Sequence, residues 1–212
     1  MGKRKKTYKE NIFKRIWTYI LSMPKRLQNF FFCLKYPFYR LKGVYTDEFG
    51  GYYSTWYDDI PGGWKKAFGK QLSKDLKAVL KKNHELRSFR FCQIKVKFGE
   101  LRLYSTACST ETQHVLSKYE YLSTCYCIIC GKPARYVIGG DWPEYICEDC
   151  LKEYIEGRSG DLEEAKKKYR LSEKDICVLR VFDKESNEFR DVDMVEEYGV
   201  DYRKLWGLDA NE

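Results

Sequence analysis

Two pairs of cysteines in this 212-residue chain have the spacing of a metal site. Cys127 and Cys130 form the first Cys-x-x-Cys pair, and Cys147 and Cys150 form the second after sixteen intervening residues. Four thiolates in this pattern suit zinc, which binds four soft ligands in a closed tetrahedral site without redox chemistry. The spacing therefore predicts one structural zinc ion with Cys127, Cys130, Cys147 and Cys150 as its ligands.

Other uses of the cysteines fit the pattern less well. An odd total of nine, together with the expected cytosolic location, argues against disulfide bonds. A redox-active Cys-x-x-Cys occurs singly at a helix N-terminus in a βαβ unit, whereas two pairs occur here. Cys125 forms a Cys-x-Cys with Cys127 and stays an alternative ligand. The remaining cysteines are predicted to be small buried or half-buried side chains: Cys33, Cys92, Cys108 and Cys177.

Short strands and turns around the cysteines must position the thiols. Residues 135–138 and 144–146 have strand character and flank the turn-forming residues 139–143. Gly131 permits the positive φ that a metal-binding knuckle needs directly after Cys130. A small zinc ribbon is therefore predicted over residues 125–150.

A helix and a β-hairpin are predicted to form the core that carries the ribbon. Apolar residues recur at helical spacing from Trp64 onward, while lysines occupy the other positions. Residues 89–97 and 101–104 alternate as two strands of a hairpin with Gly99 in its turn, and their apolar side is expected to pack on that helix. A second helix over 111–124, with Thr110 as its N-cap, leads into the ribbon. Residues 43–63 are rich in Gly, Tyr and Asp and are predicted to form a loop.

The two ends of the chain carry opposite charge. Residues 1–42 contain twelve Lys or Arg and one acid, whereas residues 141–212 contain twelve basic and twenty-one acidic residues. This gradient indicates either an anionic partner at the basic end or pairing of the two ends within the chain. A basic amphipathic helix is predicted near residues 9–21, ended by Pro24, with a second short helix at 27–34. Its apolar stripe can dock on the rest of the domain or lie on an anionic membrane, while its basic residues can meet nucleic-acid phosphates.

These elements predict an α+β fold in three segments. Residues 1–42 form the basic amphipathic helical segment, and residues 43–157 form a helix and hairpin core with an inserted four-cysteine zinc ribbon. After a linker at 157–160, residues 158–212 form an acidic α/β appendage whose apolar residues are expected to complete the core. Hydrophobic residues are 43% of the chain and charged residues 33%, which excludes a disordered or membrane-embedded chain.

Several motifs together resemble a protein family. The Gly63-Trp64 start of a helix, the strand sequence QIKVKFGELRLY at 93–104 and YEYLS at 119–123 precede the Cys-x-x-Cys-Gly knuckle. With Trp142 before the second cysteine pair, residues 50–155 resemble small zinc-ribbon proteins of tailed-phage and prophage genomes. The resemblance implies a phage gene product in a host cytoplasm, with the four cysteines as ligands and no catalytic residue. Glu100 departs from the family motif, which usually has glycine there.

The residues favour binding over catalysis. The two histidines, His84 and His114, lie outside the ribbon in charged or polar surroundings, and no phosphate-binding loop or nucleophile motif occurs. We therefore expect a non-enzymatic zinc-ribbon binding or adaptor protein that recognises nucleic acid or a host protein through basic surfaces.

Two alternatives remain open at this point. One is a metal-dependent enzyme acting on nucleic acid, with Asp58, Asp59 or Glu85 recruiting a second metal. The other is a peripheral membrane protein anchored by residues 9–41. No apolar run reaches the ~20 residues that span a bilayer, so a cytoplasmic location is expected.

Overall fold

The computed structural model describes residues 3–44, 53–183 and 187–207, and it shows a mixture of helices and small sheets. The helices are α1 (Lys3–Lys35), α2 (Gly62–Trp64), α3 (Lys70–Lys82), α4 (Thr110–Cys125), α5 (Glu148–Glu156), α6 (Leu162–Tyr169), α7 (Glu173–Cys177), α8 (Met194–Tyr198) and α9 (Tyr202–Trp206). The antiparallel strand pairs are β1 (Leu41–Val44) with β2 (Tyr53–Thr55), β3 (Phe91–Lys97) with β4 (Glu100–Ser105), β5 (Tyr136–Ile138) with β6 (Glu144–Ile146), and β7 (Val178–Asp183) with β8 (Glu188–Asp193). The predicted α+β class is confirmed.

The central core lies between the β3–β4 hairpin and the helices that follow residue 62. A π-helical turn, Lys65–Gly69, joins α2 to α3 in one helical run, and Trp64 is fully buried within it. The apolar side of the hairpin packs into the same cluster, as predicted. The buried members from the helical run and the hairpin are Trp64, Phe68, Leu72, Leu76, Leu80, Phe91, Ile94, Leu101 and Leu103.

Two smaller clusters extend this core. One surrounds the cysteine pairs and includes Ala165 of α6, so residues on both sides of the predicted linker contact each other. The other joins Met194 and Trp206 to Tyr121 and Cys125 of α4. The apolar residues of the acidic segment therefore complete a core, as predicted. The domain boundaries at 42 and 157 stay predictions.

The N-terminal helix differs from the prediction. A single helix, α1, runs through Pro24, where two helices separated at the proline were expected. An interior proline removes one backbone hydrogen bond and strains one turn, but it does not prevent helix on either side when other contacts hold the segment. Here the Asp58 carboxylate provides such contacts, since it lies 3.2 Å from Lys25 Nζ and accepts a 3.2 Å hydrogen bond from Asn29 Nδ2.

The apolar stripe of α1 faces away from the domain. We define this stripe as Ile16, Trp17, Ile20, Met23, Leu27, Phe30, Phe31 and Leu34, whose residues are 40% to 65% exposed. The opposite face holds the helix to the domain through Arg26 and Asn29, which are 6% and 5% exposed. Of the alternatives that the sequence leaves open, docking of the stripe on the rest of the domain is not what the structure shows for these residues.

No helix in the described parts of the chain combines the length and the apolarity required to cross a bilayer.

Two local predictions also need correction. The N-cap of α4 is Ser109 and not Thr110, because Ser109 Oγ accepts the Thr112 amide at 3.3 Å. Within the predicted loop at 43–63, the chain forms strand β2 and a 3₁₀ turn, Trp56–Asp59. A three-residue strand has too short an alternating pattern to be recognised in a Gly-rich sequence. Residues 45–52 of that loop lie outside the described ranges.

Candidate metal centre

The first cysteine pair lies on a tight turn directly after α4. The Cys127 amide donates to Lys132 O at 2.7 Å, and the Gly131 amide donates to Cys127 O at 3.0 Å. Gly131 closes this turn at φ +85°, a left-handed conformation that glycine adopts without strain. The predicted role of Gly131 is confirmed, and the turn directs both thiols toward the second pair.

The second pair is positioned by the start of α5 and by the ribbon strands. Cys147 is the N-cap of α5, and Cys150 lies in its first turn. The hairpin β5–β6 returns the chain to the first turn, where the Ile128 amide donates to Tyr145 O at 3.0 Å. The predicted ribbon strands are confirmed, with β5 beginning at Tyr136.

The four thiols converge on one point. All four sulfur atoms lie within 4.8 Å of one another, and the Cys130 and Cys147 sulfurs are 3.4 Å apart. Cys127, Cys147 and Cys150 are buried, and Cys130 is half-buried. The arrangement can hold a metal ion. Among the described residues, no other group of three or more His, Cys, Asp or Glu side chains comes this close together.

The surroundings of the thiols favour ionisation of one cysteine and oppose ionisation of two others. Burial opposes ionisation of Cys127, but the amides of Cys130, Cys147 and Ile129 donate to its sulfur and lower its pKa. Burial raises the pKa of Cys147 to about 11, and burial together with the Cys127 charge raises the pKa of Cys150. Because each further thiolate repels the first, a bound cation is required to hold four of them together.

The other cysteines lie outside this group. Cys125, the alternative ligand, is buried in the cluster that joins Met194 and Trp206 to α4. Its thiol donates to Tyr121 O at 3.9 Å. Cys33, Cys108 and Cys177 are half-buried, as predicted. The prediction for Cys92 is wrong, because this residue is exposed. That prediction was made from the residue type alone, and Cys92 lies where the register of β3 shifts between Phe91 and Gln93.

A close contact between backbones couples the metal centre to the central core. The Gly63 amide donates to Ile128 O at 3.1 Å. A Cβ atom added to Gly63 would lie 2.3 Å from Cys127 O, and one added to Gly131 would lie 2.5 Å from Gly63 O. Sequence reasoning missed this contact, although the Gly62-Gly63 pair at the start of the helical run was its visible signal.

Gly63→Ala should destabilise the protein by about 1 to 3 kcal/mol, because its methyl group would overlap the Cys127 carbonyl and force α2 away from the turn. The matched control is Gly62→Ala, since a Cβ at Gly62 meets nothing within 4 Å. Urea unfolding of both variants measures the difference. Equal stabilities would show that the close contact does not exist.

The residues considered for catalysis have structural surroundings. His84 is exposed, and His114 is half-exposed beside the Glu197 carboxylate at 3.3 Å. Glu85 accepts hydrogen bonds from the Ser109 amide and from Thr112 Oγ1, both at 2.6 Å.

Asp58 and Asp59, which the sequence suggests as ligands of a second, catalytic metal, lie in a short turn. The Asp58 carboxylate accepts hydrogen bonds from the Thr55 amide and hydroxyl at 2.7 and 2.8 Å, and Asp59 lies in the same 3₁₀ turn. Within the described ranges, the structure does not gather Asp58, Asp59, Glu85 and the histidines into one group.

Comparisons of this chain with protein-family models, with curated proteins and with solved structures found no match.

Proposed function

We propose that this chain is a non-enzymatic binding module in which a structural zinc ion holds the ribbon and a lysine-rich surface engages an anionic partner. The observation that carries the proposal is the closed set of four converging thiols. Four protein ligands leave no open coordination position for a substrate or a reactive water, and this is the arrangement of structural zinc sites.

Zinc fits the arrangement of the four thiols. Zinc–sulfur bonds of ~2.3 Å in a tetrahedron place the sulfurs roughly 3.8 Å apart. The thiols lie within 4.8 Å of one another, with one pair at 3.4 Å, so small side-chain movements would complete the site. When bound, the dication neutralises the charge that otherwise opposes ionisation of Cys147 and Cys150.

The lysine surface lies on the outer side of the helical run around α3. Lys66, Lys70, Lys74 and Lys81 are exposed. Near the end of α1, Lys77 Nζ donates to Lys35 O at 2.7 Å, which links the two helices. The one acid in α3, Asp75, accepts hydrogen bonds from Tyr119 and Gln71, both at 2.6 Å, and the exposed lysines outnumber it. The surface is therefore suited to an anionic partner.

We predict that the triple variant Lys66→Gln, Lys70→Gln, Lys74→Gln elutes from a heparin column at clearly lower salt than the wild type. Each lost cation removes about one counterion-release event from the salt dependence of binding. The control is Lys152→Gln, Lys167→Gln, Lys174→Gln, which removes the same charge from exposed positions outside α3. Identical elution of the two variants would mean that retention follows net charge and would reject the lysine surface.

A further inference from the structure

We infer that the apolar stripe of α1 docks on an anionic phospholipid membrane surface. This inference deepens the proposed function, because it names the anionic partner. The stripe residues Ile16, Ile20, Met23, Leu27, Phe30 and Leu34 recur at alternating intervals of four and three, which places them on one side of the helix. Each is between 40% and 65% exposed, and Trp17 and Phe31 widen the same surface at 64% each.

The opposite side of α1 is anchored, so the helix cannot roll to bury the stripe. Lys25 and Asn29 lie on this polar side, and both contact the Asp58 carboxylate, the first by an ion pair and the second by a hydrogen bond. The Phe32 ring packs on Tyr39 and Tyr57, with ring centroids 5.4 and 4.7 Å apart. While these contacts hold, none of the described residues covers the stripe, and its occupant is expected to come from outside the domain.

The positive charge of residues 1–42 determines which kind of surface can cover the stripe. The spacing of the stripe also fits a second copy of the same helix, as in a coiled coil. Residues 1–42 hold twelve basic residues and one acid, so two such segments side by side would repel each other. An anionic membrane attracts the same cations while its acyl region accepts the apolar side chains, which is how basic amphipathic helices lie at interfaces.

Nucleic acid fits this surface less well than lipid does. Phosphates would meet the lysines, but a row of Leu, Ile and Met side chains has no counterpart on a sugar-phosphate backbone. The tryptophan on the stripe suits the interfacial region of a bilayer, where its ring lies at headgroup level. The hydrogen bond from Lys77 Nζ to Lys35 O joins the C-terminal end of α1 to α3, so the lysine surface lies beside the helix that carries the stripe.

The test is vesicle flotation with the full-length, zinc-loaded protein. Vesicles are made either of phosphatidylcholine alone or of phosphatidylcholine mixed with phosphatidylglycerol. We expect flotation with the mixed vesicles. The partition coefficient should fall by more than about tenfold in the variant Leu27→Ser, Phe30→Ser, Phe31→Ser, since each large apolar side chain that leaves water strengthens binding by about tenfold.

A matched control separates the stripe from general surface hydrophobicity. Phe98→Ser, Tyr104→Ser, Trp142→Ser removes three aromatic side chains that are 55%, 44% and 73% exposed outside α1. This control should float like the wild type. Circular dichroism and zinc content should be unchanged in both variants, which would show that neither change acts through unfolding.

The outcomes distinguish this inference from the proposed function. Absence of flotation with anionic vesicles, or flotation of the stripe variant equal to the wild type, overturns the inference. If lysine-dependent heparin retention persists in that case, the proposed function stands, and a gel shift with duplex DNA would then identify nucleic acid as the partner. A stripe-dependent dimer in size-exclusion chromatography, without flotation, would identify a second copy as the occupant and also overturn the inference.

Discussion

Cys147→Ser should leave the purified protein with almost no bound zinc, whereas the wild type should carry one zinc ion per chain. Four thiolates bind zinc with apparent free energies of about 10 to 16 kcal/mol in small peptides, and whole domains are stable by only ~5 to 15 kcal/mol. Loss of one ligand should therefore unfold the ribbon between residues 125 and 150. Elemental analysis measures the metal, and limited proteolysis should show new cleavage between Lys132 and Glu144.

Cys92→Ser is the matched control for this experiment, because Cys92 is exposed on β3 and lies outside the thiol cluster. It should retain one zinc per chain and resist cleavage like the wild type. The half-buried Cys33, Cys108 and Cys177 should behave in the same way when replaced. Stoichiometric zinc in the Cys147→Ser protein would show that the ligand assignment is wrong.

Trp64→Ala should lower the free energy of unfolding by about 3 to 5 kcal/mol. Trp64 is 0% exposed, and its Nε1 donates a 2.9 Å hydrogen bond to Tyr126 O, next to the first metal-binding turn. The substitution leaves a large cavity in the central core and deprives that carbonyl of its partner. Urea denaturation followed by circular dichroism measures the change.

The same substitution at Trp142 provides the comparison. Trp142 is 73% exposed in the ribbon turn, so Trp142→Ala should change stability by less than about 0.5 kcal/mol. Equal losses from the two substitutions would contradict the central position of Trp64.

The features that were predictable from the sequence depend on local pattern. The hairpin was recognised from its alternation, and its turn has Phe98 at φ +53° and Gly99 at φ +75°, a conformation that glycine favours. The cysteine pairs were recognised because a four-thiol site leaves a fixed spacing in the chain. In both cases the residues that matter are close in sequence.

The features that were missed depend on contacts between distant segments. An amphipathic pattern shows which side of a helix is apolar but not what covers that side, so the sequence left the direction of the α1 stripe open. It follows from Asp58, which is about thirty residues away from its partners in α1. The contact of Gly63 with the first metal-binding turn likewise joins residues more than sixty positions apart.

With the proposed metal bound, that contact at Gly63 would link metal occupancy to the folding of the core. Because the turn that holds Cys127 and Cys130 rests directly on the start of the helical run, the folded core favours the metal-ready turn and the bound metal favours the folded core. Thermodynamic reciprocity requires each to strengthen the other by the same factor. With the proposed zinc ion as the metal, a chain deprived of it is expected to lose rigidity beyond the ribbon and to be cleaved faster by proteases.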